Sequence, residues 1–362
     1  MIKSVYVHIP FCSHICSYCD FPKIFYSKKH IKDYLDCLKN EINSIYQNDV
    51  IDTLYIGGGT PTSLDSEELK YLFEILKVFK LNNNYEWTVE CNLENLTEDK
   101  LKLFKEYGVN RLSIGIQTFN KKNLDFLNRK TCDTSIIYKA KELGFNNINV
   151  DLIYAIPDET IEDLKFDLEE FLKLDISHIS TYSLMIEENT ILAINKTKPI
   201  DQEIDYDMYK CICDTLEKNG YIHYEISNFS RSGYESKHNL TYWNNNEYYG
   251  FGMGASSYIN DLRITNTKSL NKYLNKEYIY DSEKVNNKLK MEYEMILGLR
   301  KIEGIDLDKF KEKYHKDIRE VYDIDKVLKE GKLIVENNHL KISKNYLYLS
   351  NEVLINFVGE EW

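Results

Sequence analysis

Six short β-rich runs alternate with segments of helical periodicity in the first half of the chain, and this alternation restricts the possible fold more than any other feature. Nearly continuous apolar strands separated by helices are typical of a parallel sheet with both faces covered. Six such units predict an α/β fold, a partial or full β/α barrel with its site at the C-terminal ends of the strands. Asp65, followed by Glu68, predicts a capping box for the second helix. The predicted strands are SVYVHI, DTLYIGGG, EWTVECN, RLSIGIQ, INVDLIYAI and HISTYSL, and the predicted helices between them lie near 30–46, 66–79, 97–107, 133–143 and 161–174.

The pattern changes after about residue 200, which predicts a different organisation for the rest of the chain. A helix over 201–219 leads into an aromatic, glycine-rich stretch, and helices with a hairpin around Asn337–Asn338 follow from about residue 285. We therefore predict a core domain over 1–235, a connecting segment over 236–284 and a small winged-helix-like α+β domain over 285–362. Residues 281–362 carry 15 basic and 17 acidic side chains, so this tail is not predicted to bind DNA.

Composition excludes several classes of protein. The net charge of −12 argues against a general nucleic-acid binder, because phosphate contacts need a surplus of Lys and Arg. No apolar run approaches the roughly 18 residues of a membrane span, and the N-terminus enters a strand directly, so we expect a cytoplasmic protein without a signal peptide. Five of the eight cysteines are scattered without the spacing of a disulfide framework, which fits a reducing compartment: Cys37, Cys91, Cys132, Cys211 and Cys213.

The other three cysteines lie together in HIPFCSHICSYCDF, at residues 8–21. Cys12, Cys16 and Cys19 are one ligand short of a structural zinc site, which normally has four. Three thiolates can instead hold three irons of a [4Fe–4S] cluster and leave the fourth iron open to an outside ligand. At this point a zinc site and three unconnected core cysteines stay as alternatives.

Glycines and polar side chains follow the next strands at the points where the strands end. The segment GGGTPTSL begins at Gly57, and its three glycines let the backbone approach a charged ligand without interference from Cβ atoms. Glu90, Gln117 and Asp151 stand at or just after later strand ends. Because the active sites of β/α barrels are built at this end of the strands, we expect a polar site there.

The CxxxCxxC loop after the first strand and the glycine turn after the second resemble the radical SAM superfamily. In that family S-adenosylmethionine (SAM) chelates the open iron of the cluster through its amino and carboxylate groups. The resemblance implies that Glu90 suits the methionine ammonium, that Arg129 meets a carboxylate and that Asp151 holds ribose hydroxyls. Its full set of implied SAM contacts is Tyr6, Gly58, Gly59, Thr60, Glu90, Gln117, Arg129 and Asp151.

The branch of the superfamily is indicated by YVHIPFC, GGGTPT, RLSIGIQTF, LNRK and DLIYAIP. These segments resemble the oxygen-independent coproporphyrinogen III oxidases and their HemW relatives over nearly the whole chain. Oxidases have a fourth motif cysteine where this chain has Phe21, and they carry an N-terminal extension of some tens of residues before the cluster strand, whereas this chain starts almost on that strand. HemW proteins show an HNxxYW motif, present here as His238, Asn239, Tyr242 and Trp243. An imidazole and flat aromatic faces suit haem, so the resemblance implies haem contacts at His238, Tyr242 and Trp243.

We therefore predict a radical SAM fold protein of the HemW type. The resemblance implies a haem chaperone that binds a [4Fe–4S] cluster, SAM and haem, that lacks oxidase activity, and that delivers haem to acceptor proteins, some of them respiratory and at the membrane. The alternative is a coproporphyrinogen III oxidase, which shares nearly all of the SAM-site residues. A third reading, a radical SAM enzyme that modifies RNA, is disfavoured by the acidic charge.

Overall fold

The computed structural model describes residues 1–130 and 133–359, so Cys132 and the last three residues of the predicted C-terminal domain lie outside the described residues. The strands are β1 (Ser4–Ile9), β2 (Phe11–Cys12), β3 (Ile24–Phe25), β4 (Val50–Gly58), β5 (Lys80–Asn92), β6 (Arg111–Gln117), β7 (Asn147–Tyr154), β8 (His178–Ser183), β9 (Ile222–Glu225), β10 (Asn228–Ser230), β11 (Tyr249–Phe251), β12 (Ser256–Ile259), β13 (Leu262–Asn266), β14 (Ile279–Lys284), β15 (Ile305–Asp306), β16 (Leu333–Glu336) and β17 (His339–Ile342). The α-helices are α1 (Lys28–Ile45), α2 (Ser66–Leu76), α3 (Glu98–Tyr107), α4 (Lys121–Phe126), α5 (Ser135–Glu142), α6 (Ile161–Lys173), α7 (Ile191–Ile194), α8 (Gln202–Lys218), α9 (Lys237–Trp243), α10 (Leu270–Leu274), α11 (Asn287–Gly298), α12 (Leu307–Tyr314), α13 (Ile318–Val321), α14 (Ile324–Lys329) and α15 (Ser350–Leu354).

One nine-stranded sheet organises the first 251 residues, in the order β11-β1-β4-β5-β6-β7-β8-β10-β9. Neighbouring strands from β11 to β8 are parallel, and β10 and β9 complete one edge in antiparallel pairing. The six predicted strands are β1 and β4 to β8, and helices connect them as expected for parallel neighbours. This open parallel sheet confirms the predicted partial β/α barrel of the radical SAM type.

The helices begin and end where the sequence supplies caps. The predicted capping box is confirmed: the Glu68 backbone N–H donates to Asp65 Oδ1 over 2.9 Å, and the Asp65 N–H donates to Glu68 Oε2 over 2.8 Å. α3 begins after Thr97, whose side chain accepts from Lys100 N, and it ends at Gly108 with a φ of 93°. Such caps satisfy backbone groups that a helix leaves unpaired at its ends.

The C-terminal part of the chain has a core of its own, which includes Met295, Leu299 and Phe310. Its sheet has the order β15-β17-β16 and is antiparallel. The predicted hairpin is present, since Asn337 and Asn338 both have positive φ, at 50° and 62°, between β16 and β17. Two such residues are what a tight two-residue hairpin turn requires. Together with α11 to α15, this sheet forms the predicted small α+β fold.

Two elements differ from the sequence prediction. β5 begins at Lys80 rather than Glu86, because Lys80 and Leu81 pair with the start of β4 before the register shifts. The predicted connecting segment contributes β11 to the main sheet, where it pairs with β1, and it also forms the short helix α9. Ser236 caps α9, because its side chain accepts a hydrogen bond from the Asn239 N–H. A serine just before the motif could have predicted the start of this helix from the sequence.

Candidate functional site

A cavity of about 430 Å³ opens at the C-terminal ends of the parallel strands, and the cysteine loop forms one of its walls. Cys12 ends β2, while Cys16 and Cys19 follow in the loop, and all three line this cavity. The loop is attached to the rest of the barrel through Ser17, whose N–H donates to Leu127 O and whose C=O accepts from Leu192 N, each over 3.2 Å. The structure therefore brings the three predicted cysteines to one place.

Burial favours the protonated thiol at Cys12 and at Cys19. It raises the pKa of Cys12 to about 11 and also raises the pKa of Cys19. A bound metal reverses this preference, since coordination deprotonates a thiol. Within the described residues, no three His, Cys, Asp or Glu side chains are close enough to hold a single metal ion. The cysteines instead share the wall of a larger cavity, and a four-iron cluster held by three thiolates fits that arrangement.

The glycine turn after β4 lies directly against the cysteine loop. The Gly59 N–H donates to Ile9 O over 2.8 Å, and the Thr60 N–H donates to Phe11 O over 2.9 Å. A Cβ atom at Gly59 would lie 2.7 Å from the Pro10 carbonyl oxygen and 3.0 Å from Cys12 Sγ. These separations are too short for any side chain, so this close approach requires glycine. Gly58, Gly59 and Thr60 all line the cavity.

Glu90 lies on the floor of the cavity at the end of β5. Its carboxylate accepts hydrogen bonds from Tyr55 Oη over 2.8 Å and from the Gly58 N–H over 2.9 Å. Burial nevertheless raises the pKa of Glu90 to about 7. A Cβ atom at Gly57 would lie 2.6 Å from this carboxyl group, so Gly57 provides the space that Glu90 occupies.

Asp151 and Gln117 lie on the neighbouring strands and also line the cavity. Burial raises the pKa of Asp151, whose Oδ1 accepts from Asn149 Nδ2 over 2.8 Å. Gln117 is buried and has a φ of 76°, a left-handed backbone that places strain at the end of β6. Arg129 lines the same cavity, and its Nε has no hydrogen-bond partner among the described residues. Among the described residues, the carboxylates of Glu90 and Asp151 form no ion pair with a cationic side chain, and Arg129 has a free N–H donor at Nε. This arrangement fits a ligand that carries both charges, as SAM does.

Tyr6 lies outside the lining of the cavity. Its hydroxyl is 3.0 Å from His8 Nδ1, and its ring packs against Tyr55 and His238 at centroid distances of 6.0 and 6.4 Å. The structure therefore places Tyr6 in the barrel interior. Tyr55 lies between Tyr6 and Glu90, since it contacts the ring of Tyr6 and donates a hydrogen bond to Glu90. Its predicted contact with SAM stays a prediction.

The HNxxYW motif forms helix α9, which packs into the barrel below the cavity. His238 is 1% exposed. Its Nδ1 lies 2.8 Å from Thr53 Oγ1 and its Nε2 lies 2.8 Å from Tyr242 Oη, so both ring nitrogens are occupied. The ring also stacks on Tyr55 at 4.9 Å, and burial lowers the pKa of His238 to about 3. The neutral imidazole has no free nitrogen for a haem iron, and this arrangement does not support the predicted haem contact.

The other two predicted haem residues lie on the same helix and do not line the cavity. Tyr242 is taken up by its hydrogen bond to His238 and by an edge contact with Tyr248 at 4.7 Å. Trp243 is half-buried, with the Arg300 guanidinium 5.7 Å from its ring. The structure does not bring these three residues to the cysteine loop, whereas Asn239 of the same motif does line the cavity.

The sequence prediction missed Arg111, which is 2% exposed and lines the cavity from β6. Its Nε has no hydrogen-bond partner among the described residues. The sequence could have predicted this position. Arg111 lies six residues before Gln117 on the same strand, and alternate residues of a strand face the same side. Ser113 and Gly115, between them at the same spacing, also line the cavity.

The chain is similar to known proteins over nearly its whole length. The profile of the radical SAM superfamily matches residues 6–171, and that of the HemN C-terminal domain matches residues 285–345. A protein of Bacillus subtilis described as "Heme chaperone HemW" is 39% identical over 99% of this chain and 100% of its own length. A protein of Lactococcus lactis with the same description is 38% identical over 99% of this chain and 98% of its own. The structure of the Escherichia coli coproporphyrinogen III oxidase HemN has a similar fold, with a TM-score of 0.87 at 23% identity over 98% of this chain and 90% of that one.

One further property concerns membranes. Among residues 1–130 and 133–359, no helix is both long enough and apolar enough to cross a bilayer.

Proposed function

Because this chain belongs to the HemW family of radical SAM proteins, we propose that it is a haem chaperone. It binds haem, a [4Fe–4S] cluster and SAM, and it delivers the haem to acceptor haem proteins. The observation that carries the proposal is the similarity to two proteins described as haem chaperones over 98% and 100% of their lengths.

We assign the cluster to Cys12, Cys16 and Cys19, each of which would bind one iron. The fourth iron would stay open to an outside ligand, which is the chemistry that the cluster supplies when bound. Glu90 would accept hydrogen bonds from the amino group of SAM, Arg129 would meet its carboxylate, and Asp151 would hold its ribose. Gly58, Gly59, Thr60 and Gln117 complete the assignment, and its support is that all of these residues line one cavity.

The acceptors in this proposal are haem proteins of respiration, some of them bound to membranes. We place the protein itself in the cytoplasm. Seven cysteines lie in the described part of the chain, and all seven are free, which fits a reducing compartment.

The oxidase alternative has weaker support. The sequence of this chain is 23% identical to that of HemN, and an identity at that level shows a shared fold alone. Position 21, where the oxidase motif has its fourth cysteine, is Phe21, and its side chain is 62% exposed at the cavity. An exposed aromatic ring cannot bind iron as a thiolate does, so the cluster loop offers a different surface there.

The test is a paired assay of anaerobically reconstituted protein. Haem titration should give a Soret band that saturates at a defined stoichiometry, while incubation with coproporphyrinogen III, SAM and a reductant should give no protoporphyrinogen. E. coli HemN serves as the positive control for turnover. Multiple turnovers of coproporphyrinogen by this chain would reject the chaperone proposal in favour of the oxidase.

A further inference from the structure

Two large apolar side chains stand exposed at the opening of the cofactor cavity. Phe21 is 62% exposed and Met185 is 67% exposed, and both line the cavity. Phe21 lies two residues after the last cluster cysteine, and Met185 follows the end of β8. We call this opening, between residues 19–23 and 184–187, the cavity mouth.

Both walls of the cavity mouth are anchored to the fold. The cysteine loop and the segment after β8 are joined by the hydrogen bond from Leu192 N to Ser17 O, 3.2 Å long. Leu184 and Leu192 belong to a small buried core, against which Tyr18 packs. Phe21 and Met185 therefore lie on two segments that are held in place by contacts of the residues around them. No part of the described chain covers these two side chains.

Phe21 and Met185 are among the most exposed large apolar side chains of the protein. Eight such side chains in the described residues are more than 60% exposed, and of these Phe21 and Met185 line the cavity. The others are Met1, Phe25, Ile194, Ile279, Tyr280 and Ile355. Apolar side chains gathered beside a cavity indicate a binding surface more often than chance exposure does.

The chemistry at the cavity mouth suits a metalloporphyrin. An aromatic ring and a thioether are apolar contacts for a flat macrocycle, and a methionine sulfur is also a known ligand class for haem iron. Lys23 lines the same mouth, and its ammonium donates to the backbone carbonyls of Cys19 and Phe21. The Lys23 ammonium at this position can form an ion pair with a haem propionate.

We propose that haem binds at the cavity mouth, with its porphyrin face against Phe21 and Met185 and next to the cluster loop. This inference rests on the proposed haem chaperone function and gives it a location. It differs from the motif-based location at His238, whose imidazole is buried and already bonded through both nitrogens. Haem at the mouth is reachable from solvent, as a cargo that must be handed to another protein requires.

The experiment compares haem binding by the double variant Phe21→Ser/Met185→Ser with the wild-type chain. Ile279→Ser/Ile355→Ser is the matched control, because those side chains are 63% and 70% exposed and lie away from the cavity. All three proteins are reconstituted with the cluster, and cluster content and circular dichroism establish that each is folded. The dissociation constant for haem, from Soret titration, should rise at least fivefold in the mouth variant and stay within twofold in the control.

A second readout measures position. If haem binds at the mouth, manganese protoporphyrin bound there, whose Mn(II) stays paramagnetic in the presence of the reductant, should speed the spin relaxation of the reduced cluster in electron paramagnetic resonance, and this effect should disappear in the mouth variant at equal porphyrin concentration. A rise of less than fivefold in the mouth variant, or an equal rise in the control, overturns the site but leaves the chaperone function standing. Normal haem affinity with lost transfer to an acceptor would also overturn it, since the mouth would then bind the acceptor. Failure of the wild-type chain to bind haem would reject the proposed function itself.

Discussion

The substitution Glu90→Gln tests the assignment of the SAM site through the charge of one side chain. Glu90 accepts two hydrogen bonds, from Tyr55 and from the Gly58 N–H, and a glutamine keeps the size of the side chain while removing the negative charge. If Glu90 accepts from the amino group of SAM, the charged carboxylate should bind SAM more tightly than the amide. A hydrogen bond to a charged group contributes about 1.5–3 kcal/mol, so the dissociation constant should rise about 10- to 150-fold once Glu90 is fully ionised.

The size of this effect should depend on pH, because burial raises the pKa of Glu90 to about 7. With that pKa, about one tenth of the Glu90 side chains are ionised at pH 6 and about nine tenths at pH 8. If protonated Glu90 binds SAM as the glutamine does, the ratio of the variant's dissociation constant to that of the wild type should therefore grow about five- to ninefold between pH 6 and pH 8. Titration of the SAM amino group affects both proteins equally and cancels in this ratio.

The assay is calorimetric titration of SAM into anaerobic, cluster-loaded protein at several pH values. Tyr55, Arg111 and Asp151 also face the Glu90 carboxyl group, and burial raises the pKa of Asp151 as well. Asp151→Asn is therefore the control background: it should weaken SAM binding by itself, and adding Glu90→Gln to it should change the dissociation constant with a pH dependence shifted to lower pH, because the charge of Asp151 raises the pKa of Glu90. A ratio that stays constant from pH 6 to pH 8 would refute the reasoning, and an unchanged affinity would make Glu90 a structural group.

The same pKa has a consequence for stability without SAM. Between pH 4.5 and 7 the folded protein holds a proton on Glu90 that the unfolded chain has lost, so the free energy of unfolding falls as pH rises through this interval. A shift from 4.5 to about 7 corresponds to a loss of roughly 3 kcal/mol. Glu90→Gln should remove this part of the pH dependence in denaturant titrations of the apoprotein.

Three further substitutions test other parts of the site. Cys16→Ala should abolish the visible absorption of the cluster, because it removes one of three protein anchors, whereas Cys37→Ala should leave close to four irons and four sulfides per chain. Gly59→Ala should prevent cluster assembly, measured by iron content, because its Cβ would lie 2.7 Å from a backbone carbonyl oxygen; normal iron content would show that the turn can shift. His238→Ala should lower the free energy of unfolding by about 2–4 kcal/mol, because it leaves buried hydroxyl groups unpaired and opens a cavity beneath Tyr55. Its haem affinity, measured by Soret titration of the folded variant, should change less than twofold, and a larger loss would restore His238 as a haem residue.

The fold and the position of the cofactor cavity could be predicted from sequence because both follow from short-range patterns. Apolar runs separated by helices specify parallel strands, and parallel strands place their C-terminal ends at one edge. Glu90, Gln117 and Asp151 therefore had to approach the cysteine loop once the strands were identified, and they line one cavity. Arg111 obeys the same two-residue period and was missed because it stands at the start of its strand.

The predicted haem residues could not be placed in this way, because their positions depend on packing between distant segments. The residues of HNxxYW indicate suitable chemistry, but whether they face solvent depends on Thr53 and Tyr55, which lie more than 180 residues earlier. The same limit applies to Phe21. Its position after the cysteines was visible in the sequence, whereas its exposure at the same cavity as Met185 depends on how the segment after β8 contacts the loop.

The buried motif helix nevertheless reaches the cofactor cavity through one side chain. His238 stacks on the ring of Tyr55 at 4.9 Å, and the hydroxyl of Tyr55 donates to Glu90 over 2.8 Å. The hydrogen bonds of His238 to Thr53 and Tyr242 hold the imidazole flat against that ring. Because Glu90 has two hydrogen-bond donors in the described structure, loss of the support beneath Tyr55 should disturb one of them and raise the pKa of Glu90 further. We therefore expect the HNxxYW motif to affect the pKa of Glu90 through the orientation of Tyr55.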